Sequence, residues 1–90
     1  MAEHEYSVRF SSSSRRSLRR LPPNIERRLR SAASGLSVNP RPSGVRKLRG
    51  YEREYRIRVG EYRLIYGIDD ALGLVVILRI SHRRDVYRSR

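Results

Sequence analysis

The stretch 55–66, YRIRVGEYRLIY, limits what this chain can fold into more than any other. Tyr55, Ile57 and Val59 alternate with Arg56 and Arg58, the period of a strand with one apolar and one polar face. Gly60 suits the first central position of a two-residue type II′ turn, where φ is positive. Closing the turn at Gly60–Glu61 sets Val59 opposite Tyr62, Arg58 opposite Arg63 and Ile57 opposite Leu64. Arg56 then lies diagonal to Arg63 on the same face. Like charges directly across an antiparallel pair cost a few tenths to about 1 kcal/mol. Guanidiniums gathered on one face therefore point to an anion that the bare chain lacks. The competing explanation is a solvated strand face in an Arg-rich protein.

Composition sharpens the partner. Ninety residues allow one domain, 1–90, with one modest core. There are 21 Lys and Arg against 9 Asp and Glu, a formal charge of +12. Such a chain expects a polyanionic partner: nucleic acid, an acidic protein or an anionic membrane surface. Lys47 is the only lysine. Arginine favours bidentate phosphate contact and stacking on bases. With no cysteine, disulfides, thiolate catalysis and Cys-ligated zinc are excluded, and a cytoplasmic setting is expected. The longest apolar run, Ala71–Leu78, is broken at Gly73 and far too short to span a bilayer. The segment MAEHEYSVRF lacks the basic-then-apolar layout of a signal peptide.

In chain order, Glu5–Phe10 reads as a strand with Tyr6, Val8 and Phe10 on one face. Ser11–Ser14 offers helix N-caps, or else a flexible linker, and a short helix is expected to about Leu21. Pro22–Pro23 ends it and starts the next, whose Ile25, Leu29, Ala32, Ala33 and Leu36 follow helical spacing. Glu26 and Arg30 form an i,i+4 pair. Arg41–Gly44 reads as a loop and Val45–Arg49 as a short strand around Leu48. After the hairpin, a turn at Asp69–Asp70 leads to a strand over Leu72–Ile80, whose continuous apolar run suits burial on both faces. Ser81–Arg90 reads as a basic loop or a frayed helical turn. The expected class is α+β: an N-terminal strand, an antiparallel helical hairpin over one sheet face, then a mainly antiparallel run of four strands.

The residues 47-KLRG-50, 55-YRIRVGEYRLIY-66 and 80-ISHRRDVY-87, following a strand and a Pro-capped helical hairpin, resemble the RelE/ParE toxin superfamily, and within it the RelE branch. The resemblance runs from Tyr6 to Tyr87. It implies a RelE-like microbial ribonuclease fold. It also implies the toxin of a type II toxin–antitoxin pair, which enters the ribosomal A site and cuts messenger RNA there without metal or other cofactor. The implied partners are the ribosome, with its message and ribosomal RNA, and a cognate RelB-like antitoxin. By matching position, Arg56, Arg58, Arg63, Arg83 and Tyr87 fall on the family's site residues. The chain departs from the pattern at Arg56 and Arg58, where RelE proteins often carry lysine. Arginine stays protonated, so it cannot replace a lysine as general base.

Metal-free RNA cleavage starts with attack by the 2′-hydroxyl on the adjacent phosphate. It needs a proton acceptor, cations for the developing negative charge and an acid for the leaving 5′-oxygen. Arg58 and Arg63 are the expected clamp on the phosphate, with Arg56 and Arg83 adding charge. Tyr87 stacks on a base in this reading; the alternative is a residue that packs the tail on the sheet. Histidine is the usual side chain for acid–base chemistry near neutral pH, so His82 is the candidate acid or base; the alternative is an exposed histidine just past a strand end. Arg46, Lys47, Arg49 and Arg84 are expected RNA contacts that position without reading sequence. The acidic residues are poorly placed for a metal site, with Asp69 and Asp70 in a turn and Asp85 in the tail.

Two other functions compete with this one. A ParE-like chain of the same fold would bind and inhibit DNA gyrase. A non-catalytic basic module would bind RNA and leave it intact. The antitoxin is expected to bring acidic residues and an amphipathic helix to the +12 surface.

Overall fold

The computed structural model describes residues 5–48 and 54–84. The elements are β1 (Ser7–Phe10), α1 (Ser12–Arg19), α2 (Pro23–Gly35), β2 (Arg46–Lys47), β3 (Glu54–Val59), β4 (Tyr62–Asp69) and β5 (Leu74–His82). One sheet runs in the order β1-β5-β4-β3-β2. β1 lies parallel to β5, and the remaining pairs are antiparallel. This is the expected α+β arrangement. The helices cover one sheet face; no described helix covers the opposite, open face.

The serine run is a cap, not a linker. Ser11 Oγ accepts from the Ser14 amide at 3.1 Å, closing the first turn of α1. Ser11 Oγ also donates to the Leu78 carbonyl, and the buried Ser14 Oγ donates to the Ile77 carbonyl, each at 3.0 Å. The run thus pins α1 to β5. Pro23 opens α2 as expected, and Glu26 pairs with Arg30 at 2.9 Å. Leu18, Leu29 and Ala33 from the helices, with Leu36 just after α2, bury against Leu64, Tyr66, Ile68, Val75, Ile77 and Ile80 from the sheet.

The β3–β4 register agrees with the expectation residue for residue: Val59 faces Tyr62, Ile57 faces Leu64 and Arg58 faces Arg63. Gly60 has φ +60° and Glu61 has no positive φ, as a type II′ turn requires. A Cβ at Gly60 would sit 3.3 Å from Nη1 and Nη2 of Arg28, the movable end of a long side chain. The cost of Gly60→Ala is therefore chiefly backbone strain, about 1–2 kcal/mol. Urea denaturation should show that loss at an unchanged m value; an unshifted midpoint would contradict the positive-φ turn.

Two expectations need correction. The Leu74–Leu78 run is covered on one face only: Val75 and Ile77 are buried, while Leu74, Val76 and Leu78 are half-exposed on the open face. β5 also continues past Ile80 to His82, through residues expected to form a loop. Its register against β4 slips between Ile65 and Tyr66, leaving Leu78 as an extra residue. This bulge changes the parity of the strand. Residues 75 and 77 face the helices before it, and residue 80 faces them after it.

A second unforeseen feature braces the far end of the sheet. Arg41 grips Asp70 with two guanidinium nitrogens, at 3.2 and 2.9 Å, and Tyr6 donates to the same carboxylate at 2.7 Å. These bonds to Asp70 raise the pKa of both Arg41 and Tyr6. Arg41 also lies 5.2 Å from the Tyr55 ring centre, and Tyr55 stacks on Tyr66 at 6.0 Å. Burial pushes the Tyr66 phenol up to about 12, and its hydroxyl donates to the Pro40 carbonyl at 2.8 Å. Among the described residues, no helix is long and apolar enough to cross a membrane.

Candidate functional site

Cross-strand partners project to the same sheet face, so the registers assign the open face directly. One row across the strands is Arg58, Arg63 and Ser81; the next is Arg46, Arg56, Ile65 and Arg79. Five arginines stand in these two rows, with no acidic residue at any of their register positions. Glu54 is the first carboxylate on this face, two residues along β3 from Arg56. Arg46, Arg56, Arg58 and Gly44 line a basin of about 290 Å³.

Arg63 is the centre of the arrangement. Its strand neighbours Tyr62 and Leu64 face the helices, so the alternation of β4 fixes Arg63 on the open side. Arg63 is nonetheless only 5% exposed. Its Nε and Nη1 are buried and have no hydrogen-bond partner among the described residues. Taking a guanidinium out of water costs several kcal/mol unless a partner returns the lost interactions. The sheet supplies none to these two nitrogens. Instead it sets Arg58 directly opposite. An anion at this position could supply the missing interactions.

The structure brings Arg46, Arg56, Arg58 and Arg63 together on one face and places His82 and Lys47 on the other. His82 is the cross-strand partner of Tyr62, on the helix-side face, with the two rings edge to face at 5.0 Å. Its Nδ1 accepts from the Arg84 amide at 3.2 Å. His82 is thus on the opposite side of the sheet from Arg63, not beside the cluster. Arg83 is tied to the hairpin turn: its amide donates to the Glu61 carbonyl at 2.7 Å and its Nε lies 3.4 Å from the Glu61 carboxylate. Lys47 pairs with Tyr55 and so belongs to the helix-side face of the sheet. Arg84 is exposed just after β5. Tyr87 and Arg49 lie outside the described residues.

The sequence reading missed Arg79 and Ser81. The signal was the alternation Arg79–Ile80–Ser81 itself, one apolar residue between two polar ones. The apolar run before it hid that alternation, because the bulge at Leu78 interrupts the period.

With this geometry in hand, comparison with known proteins is informative. Residues 8–87 match the ParE toxin family of type II toxin–antitoxin systems, parDE. The chain belongs to this toxin family. Toxin RelG of Mycobacterium tuberculosis is 44% identical over 84 residues, covering 92% of this chain and 97% of that protein. The crystal structure of the toxin–antitoxin complex RelBE2 from the same species contains a chain of TM-score 0.79 and 42% identity. The match covers 88% of this chain and 92% of that one. The archaeal RelE–RelB complex of Pyrococcus horikoshii gives the same TM-score at 30% identity, over 88% of this chain and 96% of its own. The resemblance noted from the hairpin and the KLRG and SHRRDVY segments is therefore correct, and the toxin family's fold is the fold seen here.

Proposed function

We propose that this toxin is a ribosome-dependent endonuclease that cuts messenger RNA in the A site and so stops translation. The observation that carries the reading is Arg63: a nearly buried guanidinium with two unpartnered nitrogens, faced by a second arginine. In the proposed reaction the 2′-hydroxyl attacks the neighbouring phosphorus, the P–O5′ bond breaks, and the 2′ proton passes by way of solvent to the leaving 5′-oxygen. The products are a 2′,3′-cyclic phosphate and a free 5′-hydroxyl. Arg58 and Arg63 hold the non-bridging oxygens and offset the charge that grows on them. Arg46, Arg56 and Arg79 draw the flanking backbone into the basin. No cofactor is needed, in keeping with the family resemblance.

The proposed partner is an antitoxin of the RelB type. It is supported by the two structural neighbours, both solved as complexes of that kind. A +12 chain whose open face carries this cluster suits an acidic antitoxin.

Primer extension on a defined message in a purified translation system tests the reading; cuts should map to the A-site codon. A second reading, gyrase inhibition, is favoured by the ParE name of the matching family. A parallel supercoiling assay decides it, since a gyrase binder would block supercoiling and leave the message whole. His82 stands outside the proposed reacting set because of its face. His82→Gln should change the cleavage rate by less than about threefold, against the 100-fold or more expected for a lost general acid or base. A 100-fold loss, with a flattened pH profile, would put His82 back in the reaction.

A further inference from the structure

We propose that Ser81 is a second phosphate anchor, a positioning residue that works beside Arg63. The inference rests on the reading that the open face receives a phosphodiester, and names a group that this reading did not contain. Ser81 is the cross-strand partner of Arg63, so the two side chains rise from the same face of adjacent strands. Ser81 Oγ is buried without a hydrogen-bond partner, like Arg63 Nε and Nη1. Among the described residues these are the only buried side-chain nitrogens and oxygens left so. The comparison within the fold is Ser14, fully buried but bonded to Ser11 and to the Ile77 carbonyl. Native structures pair the large majority of buried polar groups, so unsatisfied groups on adjacent partners call for an explanation.

The chemistry of the missing partner follows from the donor inventory. A guanidinium has donors only, and a serine hydroxyl has one donor and can turn it. Among the described residues nothing takes the hydrogens of Arg63 Nε and Nη1. The partner must therefore present at least two acceptor oxygens, close together and negatively charged. A tetrahedral oxyanion does this, and a phosphodiester presents its two non-bridging oxygens. In this arrangement Arg63 supplies the charge. Ser81 fixes which oxygen faces β5, so that the phosphorus turns a defined side to the attacking 2′-oxygen. The bulge at Leu78 makes this possible, because it brings Ser81 to the open face without turning Ile77 and Ile80 away from the core.

The test uses the intact toxin, inorganic phosphate and two variants. Phosphate is titrated while the Arg63 Nε–H resonance is followed by NMR, and melting is recorded in phosphate-free buffer. Wild type should bind saturably. Ser81→Ala should bind about tenfold more weakly, the scale of one hydrogen bond to a charged group. Ser81→Thr, which keeps the hydroxyl, should stay within about threefold of wild type. Ser81→Ala should melt no lower than wild type, because it removes a hydroxyl that bonds to nothing. Phosphate binding that is absent in wild type, or equal in Ser81→Ala, overturns the proposal. So does a lower melting temperature that Ser81→Thr fails to restore, which would make the role structural. If phosphate binds through Ser81 but message is never cut, the anchor stands and the nuclease reading falls.

Discussion

Arg63→Ala should cut message at least about 100-fold more slowly while binding RNA within about fivefold of the parent protein. Removing one preorganised donor from a site of developing charge typically costs about 100- to 1,000-fold in rate. In the proposed complex, binding is spread over Arg46, Arg56, Arg58 and Arg79, which reach the same face from three strands. Their contacts to backbone phosphates are many and individually replaceable. Arg63 differs because its guanidinium is already withdrawn from water, so its interaction with the phosphate is little screened. Primer extension gives the rate, and filter binding with a 2′-deoxy substrate at fixed salt gives the affinity. Equal losses in both would show that Arg63 is one more affinity contact. The same variant should not melt lower than wild type, since it removes a buried charge with two nitrogens unpartnered among the described residues.

Its neighbour should behave in the opposite way. Leu64→Ala should lower the unfolding free energy by about 2–5 kcal/mol, the usual range for a buried leucine reduced to alanine. Leu64 is fully buried and points from the centre of β4 into the cluster formed with Leu18 and Ile77. A domain of this size has roughly 5–13 kcal/mol in all. The melting temperature should therefore fall by roughly 10–30 °C, measured by circular dichroism. A change under about 0.5 kcal/mol would mean that the site collapses without leaving a cavity. Adjacent residues on one strand thus separate the two demands on this protein: one holds the fold, the other strains against it.

That separation was legible in the sequence because a hairpin with a two-residue turn fixes every partner by counting. The glycine, the alternating apolar positions and the arginine pair were enough to place Arg58 against Arg63. Counting fails where the chain skips a step. The extra residue at Leu78 moved Arg79 and Ser81 to the open face and His82 to the other, against a simple extrapolation from Val75 and Ile77. The brace of Arg41, Asp70 and Tyr6 was invisible for a different reason. It joins residues up to 64 positions apart through exposed side chains that carry no periodic signal. The helices were readable because prolines and serines mark their ends and leucines mark their inner faces.

The parallel pairing of β1 with β5 bears on when the protein first becomes dangerous to the cell that makes it. Val8 hydrogen-bonds into a ladder beside Val75, so the first strand waits for partners made near the close of synthesis. A nascent chain at typical elongation rates, about 5–20 residues per second, spends several seconds without that neighbour. Ser81 and the bulge that aims it emerge later still. If Ser81 anchors the phosphate as proposed, partly made copies lack that anchor, and a product truncated before it should not cut message. Topology gives the cell a short grace period for the antidote to be waiting.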